Sequence, residues 1–167
     1  MTREQFLRAA AAAALASSAT SGLLPGITLA QAALESNFGG SALAREANNY
    51  FGIKAVRGRD FIEMPTREIV DGKEEKVAAK FARFASMGEC FAFRDALILR
   101  SSHYAEARAV ATDAQQFVRA LAKHWATDPA YAARILSIYR NHKLDALDAE
   151  RKKAPQPAEP SESAAMS

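Results

Sequence analysis

Between Phe61 and Phe84 the chain changes its hydrophobic period, and that change limits what it can become. Ile62, Met64, Thr66, Glu68 and Val70 alternate, and Val77, Ala79 and Phe81 alternate on the return. Asp71-Gly72 between them is a hairpin turn signal. Lys73, Glu74, Glu75 and Lys76 mark its tip as solvated. No other segment carries a convincing strand pattern, so the rest of the fold must come from helices.

Those helices can be placed from spacing and caps. Residues Arg3 to Ser18 are rich in alanine, a strong helix former, and Ser21-Gly22-Leu23-Leu24-Pro25 breaks the run. A second helix is expected from Gly26 to Ser36, with Ile27, Gln31 and Leu34 on one face, and Asn48 to Gly58 reads as loop. After the hairpin, Ser86 with Glu89 forms a capping box for a helix to about Arg100. Thr112 with Gln115 repeats the pattern before Ala114, Phe117, Val118, Leu121 and Trp125. Asp128 caps a last helix with Pro129 at its first position and Ala132, Ile135, Leu136 and Tyr139 facing inward. A helical body with one small hairpin bordering a cleft is an α+β, lysozyme-like arrangement. The 167 residues suit one domain, placed at 1–148, with a Pro-, Ala-, Ser- and Glu-rich disordered tail over 149–167.

Charge and cysteine content narrow the partners. The formal charge is +3, mild and dispersed, which suits weak attraction to an anionic surface and argues against nucleic acid. Cys90 is the single cysteine and sits among Phe91 and Phe93, so it reads as core rather than nucleophile. Arg3, Arg8 and the alanine run resemble a signal peptide, but Glu4 sits in the would-be positive region and the apolar stretch is alanine rather than leucine, which argues against one. No stretch approaches the roughly 18 to 20 apolar residues of a membrane span, so no stable membrane insertion is expected. His103, His124 and His142 are far apart in sequence and give no metal-ligand spacing; neither metal nor cofactor is expected.

The chemistry centres on Glu35. It stands in the last turn of the apolar run from Thr28, where helix carbonyls disfavour a second negative charge. Leu34 and Phe38 add desolvation in the same direction. Both effects raise the carboxyl's pKa, as a general acid working near neutral pH requires. Gly39-Gly40 then provide a sharp exit.

Three ordered blocks carry a resemblance. Ala30-Gln31-Ala32-Ala33-Leu34-Glu35-Ser36 with Gly39 resembles the AQAxLESxxG signature of glucosaminidase domains of glycoside hydrolase family 73. Asn49-Tyr50-Phe51-Gly52-Ile53-Lys54 and Ala126-Thr127-Asp128-Pro129-Ala130-Tyr131-Ala132 are similar to that family's N-x-F-G-x-K and ATDPxYA blocks. The likeness spans about Phe6 to Leu144.

The resemblance implies a lysozyme-like peptidoglycan hydrolase, an endo-β-N-acetylglucosaminidase with Glu35 as acid. It implies a second carboxylate at Glu68, four residues before Gly72, with Glu63 as local competitor, and a catalytic tyrosine at Tyr131. Asn49, Tyr50, Phe38 and Trp125 are the implied sugar contacts, with Phe51 as packing; Phe38 stands where the family usually has tryptophan. Whether water attacks directly or the substrate's 2-acetamido oxygen does so is left open by the sequence. Alternatives are a muramidase or lytic transglycosylase on the same fold, or a non-catalytic wall-binding or particle-assembly module. The expected partner is the peptidoglycan glycan strand, met by a monomer in the periplasm or cell wall after delivery by a holin, secretion apparatus or particle.

Overall fold

The computed structural model describes residues 1–153 and has a helical body carrying one hairpin. Helix α1 (Arg3–Ser21) opens with Thr2, whose hydroxyl accepts from Gln5 N–H while the Gln5 side chain accepts from Thr2 N–H. It buries Phe6, Ala10, Ala14 and Ser17, one stripe at helical spacing, and ends at Gly22. The helix therefore runs three residues beyond the expected Ser18.

Helix α2 (Pro25–Ser36) is the centre of the molecule. Pro25 takes its first position, and every residue from Pro25 to Ala33 is buried. A helix that is apolar on every side belongs inside a protein, and α2 packs against α1, α7 (Tyr131–Asn141) and α8 (Asp145–Lys153). Gly26 allows the close approach: a Cβ there would run into the Leu144 carbonyl and the Tyr139 ring. Only at Leu34 and Glu35 does the helix come partly into solvent.

Strands β1 (Phe61–Val70) and β2 (Lys73–Ala82) pair antiparallel from Phe61↔Ala82 to Val70↔Lys73. Asp71 (φ 51°) and Gly72 (φ 77°) both take positive φ, the geometry of a type I′ turn. Ile62, Met64 and Thr66 oppose Phe81, Ala79 and Val77 on the half-buried face. The base is clipped to the body by Ala82 N–H on Ile53 O and Ala55 N–H on Lys80 O, each 2.9 Å.

Helix α3 (Ala42–Ala47), capped by Ser41, precedes the loop and was not expected. Helix α4 (Met87–Arg100) buries Cys90, Phe91, Arg94, Asp95 and Ile98. Ser86 accepts from Glu89 N–H as expected, but the Glu89 carboxylate turns to Ala85 N–H, so the box closes one residue early. A short 3₁₀ turn (Ser102–Tyr104) and α5 (Ala105–Ala109), both unexpected, lead to α6 (Ala114–Trp125). Asp113, not Thr112, caps α6, because its carboxylate reaches both the N–H and the side chain of Gln116. Helix α7 begins at Tyr131 rather than Pro129: Asp128 accepts from Ala130 N–H and holds a turn ahead of the helix.

Helix α8 continues to Lys153, so the domain boundary expected at 148 falls inside it. Its Asp148 ties back to α2 through Gly26 N–H at 2.8 Å. The remainder of the expected tail, 154–167, lies outside the described residues. Cys90 is buried as expected, and burial pushes its thiol up to about 12. No helix among the described residues is long and apolar enough to cross a membrane.

Candidate active site

Glu35 is held where the buried helix α2 meets the surface. Beyond Ser36 the chain turns through three consecutive left-handed residues, Asn37 (φ 49°), Phe38 (φ 54°) and Gly39 (φ 76°). The sharp exit thus starts at Asn37, two residues before the expected glycine pair, and Gly39 is the glycine of that pair with a left-handed φ. Ser36 stabilises the exit: its hydroxyl donates to Ala32 O at 2.6 Å and accepts from Gly39 N–H at 2.9 Å. A left-handed phenylalanine is uncommon in folded chains and occurs most often where surrounding structure enforces it.

The Glu35 carboxyl faces Tyr131, the first residue of α7, whose hydroxyl lies 2.6 Å from Oε1. Burial is the main influence on Glu35 and pushes its carboxyl above the ordinary carboxylate value. The Tyr131 hydroxyl and the Trp125 indole N–H oppose that push by favouring the ionised form. Tyr131 itself is driven upward by burial and by the adjacent Glu35, so its hydroxyl stays protonated. The raised carboxyl agrees in direction with the expectation, with desolvation as the leading cause.

Two residues that sequence reasoning missed stand behind this pair. Gln31, one turn before Glu35 on α2, donates from Nε2 to the Tyr131 oxygen at 3.0 Å. Its Oε1 accepts from Arg94 Nε at 2.9 Å and Nη2 at 2.7 Å. Arg94 is fully buried on α4 and also binds Thr28 and Asp95, while Asp95 accepts from Ser17 and Ser21 of α1. Polar side chains at Gln31 on an apolar helix, and at Arg94 between Phe91 and Ile98, were the available signal.

The expected sugar contacts divide. Trp125 is half-buried beside Glu35 and packs edge-on against Phe51, with ring centroids 6.4 Å apart. Tyr50 lies between Phe6 and Phe91 and retains only slight exposure. Phe51 is buried packing, as expected. Asn49 is a correction. It is 1% exposed and is a loop pin rather than a sugar ligand. Its Nδ2 donates to Ile53 O and Ala82 O at 2.8 and 2.9 Å, and its Oδ1 accepts from Ile53 N–H at 3.0 Å. With both amide hydrogens used, none remains for a ligand. Phe38 is largely occupied by the chain: its ring lies under the Arg3 guanidinium at 4.5 Å and against Phe6 and His142.

The two hairpin carboxylates occupy opposite faces. Glu68 shares the face of Ile62, Met64 and Thr66, whereas Glu63 lies on the other face, opposite Lys80 in register. Both are exposed, and Glu68 is paired with Glu75 across the ladder. The structure thus brings Glu35, Tyr131 and Trp125 together, with Glu68 on the outer half of the hairpin. A separate recess of about 630 Å³ at the hairpin base is lined by Arg57, Arg59, Arg83, Phe84, Glu89 and Phe93 among others, and none of the expected site residues borders it.

Comparison with known proteins places this arrangement in a family. Residues 11–144 match the glucosaminidase family model, described as mannosyl-glycoprotein endo-beta-N-acetylglucosaminidase. The chain is 34% identical over 131 residues to exo-glucosaminidase LytG of Bacillus subtilis, covering 75% of this chain and 46% of the relative. Peptidoglycan hydrolase FlgJ of Salmonella typhimurium is 34% identical over 146 residues, covering 84% and 46%. The chain therefore spans about half the length of these curated relatives. Among solved structures, the catalytic domain of the autolysin Auto from Listeria monocytogenes superposes with a TM-score of 0.78 at 28% identity, covering 87% of this chain and 86% of that one.

Proposed function

Because the chain belongs to the glucosaminidase family of glycoside hydrolases, we propose that it cleaves the glycan strand of bacterial peptidoglycan as an endo-β-N-acetylglucosaminidase, with Glu35 as general acid. The observation that carries this reading is the half-buried Glu35 carboxyl with its partner Tyr131 at 2.6 Å. Burial moves the Glu35 carboxyl above the ordinary carboxylate value, the direction a proton donor needs. That proton passes to the glycosidic oxygen as the bond to the anomeric carbon breaks, and positive charge develops on the sugar ring. The Tyr131 hydroxyl and Trp125 indole then stabilise the carboxylate left behind.

Glu68 is the second carboxylate of this reading, supported by its place on the face of β1 that it shares with Ile62, Met64 and Thr66. It acts as a base on the attacking water. Substrate-assisted attack by the 2-acetamido oxygen is the alternative route, and the anomer first released separates the two: inversion for water activated by Glu68, retention for the acetamido route. Trp125 supplies aromatic surface to the sugar, and Tyr50 only its slightly exposed edge. The site of action is the periplasm or cell wall, where the polymer is found.

Digestion of purified sacculi followed by mass spectrometry tests the bond specificity. New reducing ends on N-acetylglucosamine support the reading. Reducing-end N-acetylmuramic acid, or a 1,6-anhydro product, would contradict it.

A further inference from the structure

The hydrogen bonds behind Glu35 have a direction, and the residue types fix it. A guanidinium has only donors. Arg94 gives two of them, Nε and Nη2, to Gln31 Oε1. The Gln31 amide is thereby oriented, because reversing it would set its NH₂ against two donors and leave buried groups unpaired. Nε2 must then face Tyr131, where at 3.0 Å the phenolic oxygen can only accept. A tyrosine has one hydrogen to give, and the remaining direction for it is Glu35 Oε1 at 2.6 Å.

We propose that Arg94 and Gln31 are positioning residues that polarise this chain, so that Tyr131 donates to Oε1 of Glu35 and the proton used in catalysis resides on Oε2. The proposal rests on Glu35 as the acid. It adds that the acid's two oxygens are made unequal from behind, by a residue that touches neither the carboxyl nor the sugar. Arg94 is held in turn by Thr28 Oγ1 at 2.9 Å and Asp95 Oδ1 at 2.8 Å, and it lies 5.7 Å from the Phe51 ring. Asp95 Oδ2 accepts from Ser17 and Ser21 at 2.6 and 2.7 Å. Gln31 and Arg94 are 0% exposed and Thr28 1%, so water does not compete for these bonds.

The groups around the acid are few. Tyr131 of α7 and Trp125 of α6 face the carboxyl, and Arg94 of α4 faces Tyr131 from behind. From α1, Arg3 sits over Phe38 and the serines serve Asp95. From α8, Asp148 binds Gly26 at the opposite end of α2, about 13 Å along the helix from Glu35.

Gln31→Glu tests the direction without changing size. A carboxylate there pairs with Arg94 and turns an acceptor toward Tyr131, which draws the phenolic hydrogen away from Glu35. The readout is the ¹³C titration of the Glu35 carboxyl in the full chain without substrate. Gln31→Glu and Tyr131→Phe should each raise the midpoint by about one to two pH units, the size of one charge-assisted hydrogen bond. In the Tyr131→Phe background, at least half of the Gln31→Glu shift should vanish. A shift that persists in full there, or no shift in the parent, overturns the proposal. A second measurement needs no substitution: the Gln31 side-chain amide protons should show NOEs to the Tyr131 ring, and NOEs to Arg94 in their place would reverse the assigned direction. Because both readouts omit substrate, they stand or fall separately from glycan cleavage by the parent and Glu35→Gln.

Discussion

The Tyr131 hydroxyl lies 2.6 Å from Oε1 of Glu35, joining the first residue of α7 to the last turn of α2 across 96 positions of sequence. The bond requires both helices to be in place, so the pair forms only in the folded domain. It also gives Glu35 a donor that never competes for the carboxyl's proton, since burial keeps Tyr131 protonated.

Tyr131→Phe removes that donor and little volume. The fold should hold, and the glycan cleavage rate should fall by about 10- to 100-fold, the loss of one charge-assisted hydrogen bond. The rate's alkaline limb should move to higher pH, because the hydroxyl favours the ionised carboxyl. A pH–rate profile on soluble glycan checks both.

Glu35→Gln should stabilise the domain at neutral and alkaline pH. The folded-state carboxyl is raised, so between the unfolded and folded values the native state binds more protons than the unfolded one. Stability falls as pH rises through that window, and the penalty is full above the folded value. The Tm difference between variant and parent should be near zero at pH 4 and positive at pH 8.

Arg94→Met leaves Asp95 buried at 2% exposure with its cation gone. Removing one partner of a buried pair costs about 3–5 kcal/mol. Urea denaturation should show a loss of that order.

Glu68→Gln and Glu63→Gln separate the hairpin carboxylates. If Glu68 acts on the attacking water, its amide should lower the cleavage rate by about 10²-fold or more. Glu63→Gln, on the opposite face of β1, should stay within a factor of two of the parent.

Much of this was legible before the structure. The hairpin was readable because Ile62, Met64 and Thr66 alternate into a two-residue turn with a glycine. Glu35 was readable because one carboxylate closes an apolar helix, and Tyr131 through the block around Pro129. The caps slipped by a residue where two capping types are adjacent, as at Thr112 and Asp113. Helices α3 and α5 are short and carry too few apolar positions to show a period. Gln31 and Arg94 were hidden for a different reason: a buried polar pair 63 residues apart has no local pattern, and each looks like an isolated break in an apolar stripe. Asn49 misled because a polar residue beside aromatic ones fits a binding loop and a backbone pin equally well.

The most direct test of the central claim is the rate at which Glu35→Gln releases soluble fragments from purified sacculi, compared with the parent at equal folded fraction by circular dichroism. Loss of the general acid should lower that rate by about 10²- to 10⁴-fold. Release within a factor of three of the parent would mean that the proton comes from elsewhere and that Glu35 is not the acid.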